Sequence, residues 1–169
     1  LVKLSGRELS HADSQSVNTL LHTISDFERI SDHSVNLLKA GQEIQEKSIH
    51  FSHEAIDDLS VLEAAVQDIV NRTVDAFQKN DCYAAGKIEP LEQVVDGLVR
   101  EVKTRHIARL QAGACTIEYG FVLDDLLTNY ERIADHCSNI AVAMIEVSED
   151  RFDTHEYLNH IKNGESPSF

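Results

Sequence analysis

Apolar residues in this chain recur every three or four positions over long stretches, and no strand-like alternation appears. Two prolines and seven glycines leave these patterns almost uninterrupted. The pattern predicts four long helices. The first runs from about Asp13, as N-cap, to Leu38 or Lys39 and is closed by Gly41. After the link SIHFS, the second runs from about Glu54 to Lys79. Asn80 and Asp81 make a turn in which Asp81 caps the third, about Cys82 to Leu110. Gly86 and Pro90 bend that third helix or delay its regular part, because proline lacks a backbone donor. Gly113 separates it from the fourth, about Cys115 to Val147. Helices of roughly 26 to 33 residues span roughly 40 to 50 Å at 1.5 Å per residue, and such lengths predict an all-α long-helix bundle. Beyond Glu149 the chain is polar, with Phe152, Tyr157, Leu158 and Ile161 placed to form a short docking helix.

Each predicted helix carries an apolar stripe. The first offers Val17, Leu20, Leu21, Ile24, Phe27, Val35 and Leu38. In the second, Leu59, Leu62, Val66, Ile69, Val70 and Phe77 face inward, with Asp58 and Glu63 at the edges. The third offers Ile88, Leu91, Val95, Leu98 and Val102. The fourth mixes Leu123, Leu127, Tyr130 and Ile145 with the small residues Thr116, Gly120, Ala134, Ser138 and Ala141, which let a neighbour approach closely. All four stripes are expected to face a common core.

The first and fourth helices also share a motif. ISDFERISDHSVNLL and LLTNYERIADHCSNIA repeat Glu28/Glu131, Arg29/Arg132, Ile30/Ile133, Asp32/Asp135, His33/His136 and Asn36/Asn139, with the copies 103 residues apart. At about 100° per residue, Glu28 lies within the first stripe and Asp32 on its flank, one turn on. On the fourth helix Asp124, Glu131 and Asp135 form an acidic row beside the stripe, and Glu92 and Asp96 repeat the spacing on the third. Desolvated carboxylates that lie one turn apart and lack partners are costly, so these seams call for a cation. Cross-helix arginine or lysine partners are the rival explanation, although Arg29 and Arg132 point away from the face of their own glutamates. His33 and His136 also lie on the far side from those glutamates and are expected to face outward or toward a partner. Glu54/Asp58 and Glu146/Asp150 share the spacing but read as solvated.

Composition narrows the chemistry. A length of 169 residues supports a sizeable core in one domain or two small ones. No run approaches the roughly 18 apolar residues of a membrane span. A net charge of −14 repels a phosphate backbone and argues against nucleic-acid binding. Cys82, Cys115 and Cys137 have no zinc or disulfide spacing and read as reduced cytosolic thiols. No signal peptide is visible, and the opening Leu1 in place of Met reads as the edge of something longer. The Glu-x-x-His pairs of di-iron bundles are missing, because each His follows its Glu by five positions. No catalytic constellation stands out, so a non-enzymatic role is expected.

ERISDHSVNLL and ERIADHCSNIA resemble the signature of the PhoU family, as do VDAFQKND and the segment containing VDGL. The resemblance implies two three-helix repeats whose acidic motifs bind metal. Residues 53–148 then make one complete repeat, residues 1–52 an N-terminal segment with the last helix of an incomplete first repeat, and 149–169 a tail. RELSHADSQSVNTLLHTISDFERISDH and FDTHEYLNHIK resemble the soluble domain that follows the membrane region of bacterial Na⁺/phosphate cotransporter-type proteins. By carry-over, Glu28, Asp32, Glu131 and Asp135 are metal ligands with Glu92 and Asp96 supporting, and Asp124 joins this expected metal set from the acidic row on the fourth helix. Carboxylate ligation favours harder ions, with Fe, Zn, Mn and Mg all possible.

The resemblance implies a regulatory or accessory domain of phosphate transport on the cytosolic face of the inner membrane. Its partner would be a transporter's membrane domain or a signalling protein, and the half-repeat makes a homodimer plausible. The alternatives are a metal-free helical scaffold and a metal-dependent phosphohydrolase.

Overall fold

A computed structural model of the chain describes the backbone of residues 10–163 and the side chains of residues 10, 13, 14 and 16–148. The elements are α1 (His11–Glu46), α2 (His53–Lys79), α3 (Cys82–Ala85), α4 (Ile88–Gln111) and α5 (Ile117–Asn163). Among the described residues there is no strand, and the fold is an all-α bundle. No helix within them is long and apolar enough to cross a membrane.

Local chemistry explains most boundaries. Ser10, Ser52 and Asp81 cap α1, α2 and α3, their side chains accepting from the amides of Asp13, Ala55 and Ala84. The start of α1 is therefore set by Ser10, three residues before the expected Asp13. At its far end α1 runs past Gly41, which costs a helix interior only about 1 kcal/mol, while Ala40 and Ile44 keep the helix packed. The stop falls at Ser48, held in the left-handed region at φ 51°, where the Ile49 amide donates back to the Ile44 carbonyl. Asn80 (φ 51°) and Gly113 (φ 68°) close α2 and α4 with the same bond pattern.

The expected third helix is broken at Gly86-Lys87 into α3 and α4. Pro90 then lies in the first turn of α4, where its missing donor costs nothing. α5 continues through the expected polar tail as one helix to Asn163, since no glycine or proline intervenes before Gly164. The side chains of Phe152, Tyr157, Leu158 and Ile161 lie outside the described residues, as does segment 1–9.

α2, α4 and α5 form a three-helix bundle. Leu62, Val66, Ile69, Ile88, Val95, Val99, Val102, Leu123, Leu127, Cys137 and Ile140 are among its buried residues. α4 runs antiparallel to α2, joined through Asp58, which receives Arg105 at 2.7 Å and Arg109 at 3.0 Å. Asp58 is thus a buried ion-pair partner rather than a solvated edge.

α1 lies antiparallel along α5 and meets α2 through the edge-to-face pair Phe27–Phe77, whose centroids are 4.9 Å apart. This placement corrects the expectation for α1. Its stripe was expected to face the core, yet Leu20, Leu21, Ile24, Val35 and Leu38 are exposed. The face packed on α5 is instead Thr23, Asp26, Ile30, His33, Leu37 and Ala40, which are buried or partly buried at alternating spacings of three and four. Residues 103 further on, Leu126, Asn129, Ile133, His136, Ile140 and Ala143, line the same contact on α5. A spacing averaging 3.5 is that of two helices wound along a shared seam.

Candidate metal centre

α5 carries two seams, and the repeated motif sits across both. The first meets α1. His33 and His136 stack there with ring centroids 5.6 Å apart and planes 26° apart. The His136 Nδ1–H donates to Asp26 Oδ1 and the His33 Nδ1–H to Asn129 Oδ1, each at 2.9 Å. Asn139 and Asn36 add donations to the same two oxygens, at 3.3 and 3.4 Å. Asp26 and Asn129 are themselves 103 residues apart, so the two copies clasp each other about a local pseudo-twofold axis. The partner that the outward-facing histidines awaited is therefore the other copy of the motif. The alternation of three and four around Ile30 and Ile133 marks this seam in the sequence. It is easily passed over because the seam's centre is polar.

The second seam meets α4 and carries the acids. Glu92, Asp96 and Asp135 each bring a carboxylate oxygen to within 4.8 Å of the other two. They are the one such group of potential ligands among the described residues. Burial, and then the charges of Asp96, Glu89 and Asp135, push the Glu92 carboxyl above its ordinary range. The Asp96 Oδ1 atom is buried without a hydrogen-bond partner. Glu89, Ser138 and Asn139 line the same open depression, and the Ser138 hydroxyl donates to Glu89 Oε2.

Mutually repelling carboxylates with a buried free oxygen suit a hard cation. Two arginines already approach from outside. Arg132 pairs with Asp135 at 3.0 Å and Arg100 with Asp96 at 3.5 Å, both guanidinium groups being largely solvated. Such exposed pairs offset only part of the repulsion.

The remaining expected ligands are elsewhere. Asp124 is exposed and pairs with Lys103 at 3.2 Å. Glu131 is half-buried but lies outside the three-acid group. Glu28 and Asp32 are exposed on α1, because no helix among the described residues packs over that face as α4 packs over α5. Glu89 was not singled out from the sequence. It stands three residues before Glu92 on the same turn of α4, and that spacing was the available clue.

Comparisons place this architecture among known proteins. Over 146 residues the chain is 23% identical to the phosphate-specific transport system accessory protein PhoU homolog 1 of Thermotoga maritima. That alignment covers 86% of this chain and 62% of the relative, so the chain spans less than two thirds of its relative's length. No solved structure matches. The PhoU domain family matches residues 59–144, the stretch that runs from α2 into α5 and includes the acidic group. With half of its length matched in this way, the chain belongs to the PhoU family.

Proposed function

We propose that this chain is a non-enzymatic regulatory or accessory domain of phosphate transport that holds a cation at the α4–α5 seam. The observation that carries the cation is the convergence of Glu92, Asp96 and Asp135, with Asp96 Oδ1 buried and unpaired. These residues, with Glu89 beside them, would ligate Mg, Mn, Zn or Fe and hold α4 and α5 in register. Asp124, Glu131, Glu28 and Asp32 would then serve elsewhere. On α1, Asp32 stands where Asp135 stands on α5, so it offers the α1 share of a second site, with Glu28 one turn before it.

The bare apolar face of α1 supports the division into repeats. It corresponds to the face of α5 that α2 and α4 cover, and two further helices would complete it in the same way. The accessory role follows the relative's name, and a transporter's membrane domain on the cytosolic side is the proposed partner, in a Na⁺/phosphate cotransporter-type protein.

One observation favours a metal-free scaffold instead. Arg100 and Arg132 already touch Asp96 and Asp135 and supply positive charge. Metal analysis by mass spectrometry on the purified protein, beside an Asp96→Asn/Asp135→Asn variant, separates the two. Near-stoichiometric metal in the parent and clearly less in the variant supports the cation. Equal, negligible metal in both, with melting unchanged by chelation, leaves the scaffold.

A further inference from the structure

The clasp between α1 and α5 lies one residue from the acidic group. His136 directly follows Asp135, and on a helix neighbouring side chains point about 100° apart. Fixing the direction of one therefore fixes the other. His136 is held from three sides: its Nδ1–H is bound to Asp26, its ring is stacked on His33, and Asn139 reaches the same Asp26 oxygen one turn on. The His136 and Asp26 side chains are 19% and 17% exposed, so this bond is largely shielded from competing water.

We infer that Asp26 is a positioning residue for the cation site. By clamping His136 to α1, it sets the rotation of α5 about its own axis and turns Asp135 toward Glu92 and Asp96. Asp26 touches no carboxylate of the site and acts only through the helix. Its counterpart Asn129 makes the equivalent contact to His33 with an amide oxygen, so the clasp needs an acceptor at this position and no charge. The inference rests on the cation reading and adds to it a source for the site's geometry.

The test is isothermal titration of chelator-stripped protein with Mn²⁺, at a temperature where circular dichroism shows every variant folded. Asp26→Ala is expected to weaken Mn²⁺ binding about tenfold, the lower end of what losing an orienting partner costs a metal site. Asp26→Asn is expected to bind within about twofold of the parent, because it keeps the acceptor oxygen, as at Asn129. The control is Asp58→Asn, which disrupts the Arg105 and Arg109 pairs roughly two and a half turns along α4 from Asp96. It should lower stability and leave the Mn²⁺ affinity as it was. The electron paramagnetic resonance spectrum of bound Mn²⁺ should broaden in Asp26→Ala alone. Should Asp26→Ala not fold, Asp26→Ser supplies a side chain too short to reach His136 and is expected to weaken binding in the same direction. Unchanged affinity in the alanine or serine variant overturns the inference, as does an equal loss in Asp58→Asn. A parent protein that binds no Mn²⁺ overturns the cation reading and this inference together.

Discussion

α1 and α5 carry the same motif and lie in different surroundings, and the contrast separates what the motif does from what its neighbours do. The clasp through Asp26, Asn129, His33 and His136 is common to both helices and depends on both copies. The acidic half of the motif behaves differently on each. On α5, Asp135 meets Glu92 and Asp96 from α4, whereas on α1 Asp32 meets solvent. The apolar stripe beside the acids shows the same split. Leu127 is 1% exposed, and Ile24, its counterpart on α1, is 57% exposed. Leu38 is 63% exposed where Ala141 on α5 is 3% exposed. One pattern thus yields core on α5 and surface on α1, according to whether α2 and α4 are there to cover it.

The largest test of this contrast uses thiols. Cys137 has no exposed surface, and burial pushes its thiol up to about 11. Its counterpart Ser34 is exposed. In a Ser34→Cys variant, thiol labelling at pH 8 should be more than about 100-fold faster at position 34 than at Cys137, since little thiolate forms there. Comparable rates, read by peptide mass mapping, would break the contrast.

Core truncation comes next. Leu127→Ala should cost about 3 kcal/mol in chemical denaturation, and Ile24→Ala less than about 0.5 kcal/mol. An Ile24→Ala cost near that of Leu127→Ala would mean that something covers α1 in solution.

Cation binding sharpens the comparison further. Mn²⁺ at about 100 times its dissociation constant should stabilise the protein by about 2.7 kcal/mol. Asp135→Ala should abolish that gain and Asp32→Ala should keep it, as judged by melting with and without the ion.

The smallest effect concerns Glu92 in metal-free protein. A carboxyl whose folded pKa lies above its unfolded value binds more protons when folded, so it lowers stability at neutral pH. That loss is recovered as the pH falls through the raised folded value, because the proton removes the repulsion. Glu92→Gln should therefore raise the metal-free melting temperature at pH 7 by a degree or two, about 0.5 kcal/mol, with the gain shrinking in acid. With Mn²⁺ present the sign should reverse.

The helical architecture was legible because Leu, Ile and Val recur at helical spacing in α2, α4 and α5, because Asn80 and Gly113 mark the ends of α2 and α4, and because Asp81 caps α3. The fate of the α1 stripe was not legible. Periodicity reports that a face is apolar, and only the packing partners decide whether it is covered. Within the candidate site, the ExxxD spacing led to Glu92, Asp96 and Asp135, whereas the acidic row along α5 also drew in Asp124, whose Lys103 partner comes from another helix. The clasp was missed for the opposite reason. Its centre is made of Asp, Asn and His, residue types that read as surface until a second helix supplies their hydrogen-bond partners.

The left-handed residue at the end of α1 bears on how α1 is joined to α2. Ser48, at φ 51°, adopts a backbone state that a side chain with a Cβ enters only at a cost, and the six residues from Lys47 to Ser52 form the whole bridge between α1 and α2. A bridge so short leaves α1 little freedom to swing. Any displacement of α1 therefore carries the α2 N-terminus with it.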